Sequence, residues 1–255
     1  MSLLLGYLVL SIALNVMLFL VAYKYRSDKL TDASYALTFI VLAVTAFGAS
    51  SQSTYHVVLL LMVIVWAVRI GGFLLYRVVK RGKDGRFDGV REDFVKFGKF
   101  WLAQGLSVWV LMIPALWAFQ SQGSLTWGVV AGMLLWIIGF LLEATADAQK
   151  YTFSQNPNNK NKWIATGVWR YSRHPNYFGE ILVWIGLYVA AVQSLDIPQV
   201  LMAIVSPLFI AALLLFVSGI PILEKSADKK WGSLPTYRRY KQRTSLIIPL
   251  PPKRS

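Results

Sequence analysis

Seven apolar runs dominate the sequence and limit its possible folds more than any motif does. They fall at 3–23, 33–49, 55–79, 101–119, 125–145, 176–195 and 198–221. Each lies near the roughly 20 residues a helix needs to cross a bilayer. Backbone polar groups in hydrocarbon must be satisfied within the segment, which leaves helices for runs of this length. The expected fold is therefore all-α: a polytopic membrane helix bundle of about seven transmembrane helices. The first run has no charged segment ahead of it and no small-residue cleavage site, so it reads as a membrane anchor, not a signal peptide.

The charges support the count. Of 26 Lys and Arg, three fall in the first loop, eight between Arg77 and Lys99, five between Lys150 and Arg173, and nine after the last run. The remaining one, Arg69, lies inside the third run. The loops around 50–54, 120–124 and 194–198 carry none. Seven spans put every loop cation on one side, which the positive-inside rule makes cytoplasmic. The N-terminus is then outside and the C-terminus cytoplasmic. The net charge of +14 is accounted for by loops and tail lying against anionic membrane lipids. Cations divided among loops beside helices do not suit nucleic acid.

Several chemistries are excluded. The chain has no Cys and only two His, so it has no disulfide or thiolate chemistry. His56 and His174 fall on opposite expected sides, which argues against a His-based metal site. It also lacks a Gly-rich phosphate loop of Rossmann or Walker type.

Polar residues inside the runs are candidates for function or for helix-to-helix glue. Asn15 is best read as a structural amide. Gln52, Tyr55 and His56 cluster at an outer mouth, either as interfacial caps or facing a substrate, with capping the simpler reading. Arg69 is followed by Gly71 and Gly72, which permit close helix approach, and either serves a site or forms a structural ion pair. In the loop 80–100, Asp84 and Arg86 belong by default to a solvated segment. Residues 91–100 suit a short interfacial helix. Gln104 is a candidate site amide at the cytoplasmic end of the fourth run, and Pro114 predicts a kink. Glu143 and Asp147 share one helix face, and Lys150 is placed to pair with Asp147. After the last run, Trp231, Tyr237 and Tyr240 interleave with Arg238, Arg239, Lys241 and Arg243. That pattern is either an amphipathic surface helix or a basic, aromatic lid over a nucleotide.

The most informative stretch is ATGVWRYSRHPNYFGE at 165–180. It sets Arg170, Arg173, His174, Asn176, Tyr177 and Glu180 against a membrane helix. Pro175 predicts a helix starting just after it, with Asn176 as N-cap and Glu180 one turn on. Cations beside a helix N-terminus suit an anionic ligand.

From residue 143 onward the chain resembles the C-terminal half of the steroid 5-alpha-reductase-like membrane reductases. That superfamily also contains sterol C14- and delta-7-reductases and isoprenylcysteine carboxyl methyltransferases. The resemblance rests on Glu143 and Asp147, on GVWRYSRHPNYFGE, on GIPILE, and on Tyr240 followed by the IIP of 247–249. It points to a bacterial branch of membrane proteins of unknown function, which implies a bacterial inner membrane. It implies one membrane domain over 1–255, with N-terminal helices 1–145 on the substrate side and a cofactor-binding half at 143–255. The implied cofactor is NADPH, in a cytoplasm-facing pocket lined by Asp147, Arg173, His174, Asn176, Tyr177 and Glu180, with Lys162, Arg170, Tyr237, Arg239 and Tyr240 as further members. The implied activity is that of an oxidoreductase acting on a CH–CH group. Hydride would pass to an enone-type C=C of a lipophilic, steroid- or isoprenoid-like substrate arriving from the bilayer.

The steroid reductases' Gln-Glu pair on the second span is replaced here by Gln52-Ser53, so the catalytic acid does not carry over. Gln104, Tyr55 and Arg69 are the candidates for polarising a carbonyl. The methyltransferase branch, which uses S-adenosylmethionine, shares the Arg-His-Pro stretch. The Asn-Tyr-Phe-Gly-Glu continuation and the Glu143/Asp147 pair favour the reductase. A non-catalytic lipid-binding membrane protein is the reading from another class.

Overall fold

The structure is a computed structural model that describes residues 2–81 and 87–253. Among these residues the regular structure is helical, and seven helical segments are long and apolar enough to cross a membrane. The first six are α1 (Ser2–Lys24), α2 (Lys29–Gly48), α3 (Thr54–Arg81), α4 (Phe94–Ala118), α5 (Trp127–Gln155) and α6 (Pro175–Ala191). The seventh span is broken into α7 (Ile197–Ala203), α8 (Val205–Ala212) and the start of α9 (Ile220–Trp231). Pro207 sits in the first turn of α8, where its missing N–H costs no hydrogen bond. A wider π turn, Leu213–Val217, ends α8, and Ser218 N donates to Leu213 O at 2.9 Å. A last amphipathic helix, α10, covers Pro235–Arg243.

Two helix ends differ from the sequence expectation. α4 begins at Phe94, capped by the Asp93 side chain, which accepts from Lys96 N at 3.0 Å. Residues 94–100 are thus the first turns of α4 and not a separate interfacial helix. Phe97 and Trp101 are fully buried against Phe19 and Phe87, and that packing carries the helix past the edge of its apolar run. α4 also runs continuously through Pro114. α5 continues ten residues past the expected 145 to Gln155. Its extension, ADAQKYTFSQ, holds neither Gly nor Pro, and Ala, Gln and Lys favour helix.

The chain forms two compact units. One comprises Met1–Val130 and Leu187–Ser206, the other Ala131–Gly186 and Pro207–Ser255.

In the first unit, α1, α2 and α4 are joined by a buried polar network. Gln104 Nε2 donates to Asn15 Oδ1 at 3.0 Å and to Ser34 Oγ at 2.8 Å. Asn15 Nδ2 donates to Thr38 Oγ1 at 3.1 Å, and Ser11 Oγ to Gly105 O at 2.7 Å. Such interhelical bonds are worth about 0.6 kcal/mol each. Gly71 lets α3 approach α2: a Cβ there would lie 2.4 Å from Ala36 Cβ, whereas at Gly72 it would meet nothing within 4 Å. A buried pair, Arg91 Nη1 to Asp28 Oδ2 at 3.2 Å, ties the α3–α4 connection to the α1–α2 turn.

In the second unit, α5 and α6 touch backbone to backbone. A Cβ on Gly139 would lie 2.6 Å from Gly179 O. One on Gly179 would lie 2.6 Å from Glu143 N, and one on Gly186 would lie 2.7 Å from Gly132 O. Gly132 and Gly139 on α5 face Gly179 and Gly186 on α6 at matching seven-residue spacing. This seam fixes the register that brings Asp147 beside Asn176.

Candidate functional site

The stretch before α6 is pinned on both sides. Gly167 adopts φ +59, a left-handed conformation that suits glycine. The following Val168 N donates to Gln149 Oε1 at 3.0 Å. Trp169 is buried, its Nε1 donates to Ala146 O at 3.0 Å, and Lys150 Nζ lies over its ring at 4.8 Å. From the other side the C-terminal tail supplies acceptors. Ser172 Oγ donates to Ile247 O at 2.7 Å and Arg173 N to Ser245 O at 2.9 Å.

α6 begins at Pro175 itself, with His174 in the capping position. Asn176 is therefore not the N-cap. Pro fits the first helical position because its absent N–H would be unpaired there anyway. Asn176 is released to reach across the glycine seam, where its Nδ2 donates to Asp147 Oδ1 at 3.2 Å. Tyr177 stacks on the His174 ring, with centroids 5.7 Å apart and planes at 8°.

Glu224, on α9, is the hub. It pairs with Arg173 Nη1, accepts from His174 Nε2 at 2.9 Å, and pairs with Lys241 Nζ of α10 at 3.1 Å. Lys241 also reaches Asp228 Oδ1 at 2.7 Å. Burial would lower the Lys241 pKa, but its bonds to Asp228 and Glu224 outweigh this and raise it. Burial pushes His174 below its ordinary 6.5, against the opposing pull of the Glu224 carboxylate. His174 is accordingly neutral at pH 7, and its bond to a carboxylate places the proton on Nε2. Nδ1 then carries a lone pair. His174 Nδ1 and Arg173 Nε are both buried without a hydrogen-bond partner. Arg173 thus presents a donor and His174 an acceptor, side by side, which is what a ligand carrying hydroxyl, amide or phosphate groups would complete.

Arg170, Arg239 and Tyr240 meet elsewhere in the same unit, around a cavity of about 380 Å³ whose lining includes Trp163, Thr236 and Arg243. The Tyr240 hydroxyl donates to Trp169 O at 2.9 Å, and burial raises its pKa. Tyr237 is buried and packs edge-on against Trp163 at 5.1 Å.

Residues 18–244 match the family described as "Protein of unknown function (DUF1295)". The chain belongs to that family. It lies within the steroid 5-alpha-reductase-like membrane superfamily. Among curated proteins it is 33% identical over 101 residues to a Delta(14)-sterol reductase of Gallus gallus, covering 33% of this chain and 16% of that one. It is 28% identical over 124 residues to a Delta(14)-sterol reductase of Methylotuvimicrobium alcaliphilum, covering 40% of this chain and 28% of the relative. An uncharacterized protein of Schizosaccharomyces pombe is 27% identical over 159 residues, covering 49% of this chain and 45% of that one. The chain thus spans less than half the length of these relatives. No solved structure matched it.

The remaining candidates are dispersed. Lys162 is exposed in the loop after α5, and Glu180 is half-buried one turn beyond Asn176. Gln104 is committed to Asn15 and Ser34, as described. Tyr55 is buried, and its hydroxyl donates to Ala191 O at 2.8 Å and meets Ser194 Oγ at 2.9 Å. His56 Nε2 bonds Ala118 O at 3.1 Å. Tyr55 and His56 thus tie loops to helix ends. Arg69 lies within α3, three residues after buried Trp66. Asp84 and Arg86 lie outside the described residues. Sequence reasoning missed Glu224 as the hub, Lys241 as its partner, Asp228 as the second acceptor for Lys241, and Trp163 and Arg243 as cavity walls. The signal available was GIPILE, in which the Glu is the only charged residue.

Proposed function

We propose that this protein is a membrane reductase that binds NADPH on its cytoplasmic side and reduces an activated C=C of a lipophilic, sterol- or isoprenoid-like substrate. The named relatives are Delta(14)-sterol reductases, and this chain's own residues fit the cofactor. The observation that carries the reading is the buried, uncompleted pair of Arg173 Nε and His174 Nδ1. It adjoins the Asn176–Asp147 bond, whose carboxylate and amide suit ribose hydroxyls and a carboxamide. When bound, NADPH would supply the hydride.

The protein's residues have separable tasks. Glu224 holds the Arg173 guanidinium in place and keeps His174 as the neutral Nε2–H tautomer. His174 Nδ1 accepts a ligand N–H or O–H. Asn176 is oriented by Asp147, and the α5–α6 glycine seam fixes the distance between them. The substrate reaches the protein from the bilayer.

The test is NADPH consumption by purified protein in detergent, with a panel of enone and conjugated-diene lipids. Turnover with at least one, lost in Arg173→Ala, is expected. Methyl transfer from S-adenosylmethionine to any panel member, with no NADPH consumption, would contradict the proposal.

A further inference from the structure

Trp231, at the end of α9, donates from Nε1 to Asn161 O at 2.7 Å. That bond docks the loop after α5 onto α9 and gathers four cations. Lys160 flanks Asn161, Lys229 and Lys230 precede Trp231, and Arg238 reaches back with Nε to Gly232 O at 2.7 Å. All four are exposed. Among the described residues none of them has a carboxylate partner, and Lys230 meets only the Trp231 ring at 4.8 Å. The sequence leaves them uncompensated: no Asp or Glu occurs between Asp147 and Glu180 or after Asp228. Asp228 itself is taken by Lys241. None of the four lines the cavity beside α10 or pairs with Glu224.

The sequence expectation lays such cations against membrane lipid. Helix length lifts these clear of it. α5 runs ten residues beyond the end of its apolar run at 145, to Gln155, which is about 15 Å at a rise of about 1.5 Å per residue. A tilt of about 20° shortens this only slightly. Asn159 Nδ2 donates to Phe153 O at 3.0 Å, so the loop stays at the last turn of α5. The Trp231 bond holds the end of α9 at the same level. The headgroup layer is only about 5–8 Å deep on each side, and lipid charge is screened over about 8–10 Å. The patch therefore faces water above the bilayer.

Its composition suits a protein. Leu234, 41% exposed, and Pro235 lie next to Arg238 in α10's first turn, giving a small apolar centre with a charged rim. Trp163, Trp231 and Tyr237 pack on one another as a wall, not as a platform for stacked bases. Three of the four cations are lysines, strongly hydrated point charges. They fit a transient partner steered by charge better than a permanent, dry interface.

We infer that Lys160, Lys229, Lys230 and Arg238 form a docking surface for a water-soluble protein that presents a carboxylate-rich face. The inference stands apart from the reductase reading, and neither needs the other. It is tested with the full chain in phosphatidylcholine nanodiscs and fluorescent poly-L-glutamate as the probe, read by anisotropy.

Binding is expected, and it should weaken at least about tenfold between about 50 and about 300 mM salt. A variant combining Lys160→Gln, Lys229→Gln, Lys230→Gln and Arg238→Gln should lose at least about tenfold in affinity. A control combining Lys24→Gln, Arg26→Gln, Lys96→Gln and Lys99→Gln removes the same charge from exposed positions of the first unit. It should change affinity by less than about twofold. All eight side chains are exposed, so both variants should melt with the wild type. No binding, or an equal loss in the two variants, would overturn the inference. The membrane alternative is read separately. In vesicles of phosphatidylglycerol and phosphatidylcholine, a bimane on Asn158→Cys should be quenched by aqueous iodide and not by a nitroxide on the lipid headgroup. Quenching by the headgroup label would overturn the inference and make the patch a contact with the surrounding bilayer.

Discussion

His174 concentrates the chemistry of the site in one side chain. Its Nε2 is held by Glu224 at 2.9 Å, its ring is covered by Tyr177, and its Nδ1 is buried and unpartnered. Burial lowers its pKa from 6.5, more than the Glu224 bond restores it. The folded chain therefore holds this proton less tightly than the unfolded chain does. Stability is constant above the unfolded value and falls as pH drops through about 6.5, until the folded His174 is itself protonated. The apparent melting temperature in detergent should fall between about pH 7.5 and about pH 5.5. His174→Gln should flatten that part of the profile, and an equal fall in this variant would show that another group is responsible. This behaviour was not readable from the motif. Arg-His-Pro announces a His, but the carboxylate that sets its tautomer lies 50 residues on, and no spacing rule links them.

Among the elements, the α5–α6 pair decides whether the site forms. At Gly139, Gly179 and Gly186 its seam leaves no room for a side chain. Gly179→Ala should destabilise the protein by about 1–3 kcal/mol and abolish cofactor binding, because the helices must part and the Asn176–Asp147 bond of 3.2 Å cannot survive. Gly48→Ala, with nothing within 4 Å of its Cβ, is the control and should be neutral. Thermal melts of both variants check this, and a wild-type melt for Gly179→Ala would contradict it. The seven apolar runs were legible because bilayer thickness sets their length. The ends of α4 and α5 were not, since helix outside the membrane carries charged residues and leaves no hydropathy signal. The seam was visible as paired seven-residue glycine spacings, but only the fold shows which helix faces which.

For the whole molecule, the distribution of cations predicts an odd number of crossings with both long basic loops on one face. The chain has no Cys, so single cysteines report topology without background. Ser124→Cys and Asn158→Cys, both at exposed positions, should label from opposite sides with a membrane-impermeant maleimide. Labelling of both from one side would break the seven-span arrangement. The central claim is that the second unit is a cofactor-binding device built on Arg173, His174, Asn176 and Glu224. The most direct measurement is thermal stability of the detergent-purified chain with NADPH or S-adenosylmethionine, in the wild type and in Asn176→Ala. At about 100 times its dissociation constant, NADPH should add roughly 2.7 kcal/mol to the wild type and much less to the variant. Stabilisation by S-adenosylmethionine alone, or an equal NADPH effect in both proteins, would contradict the account.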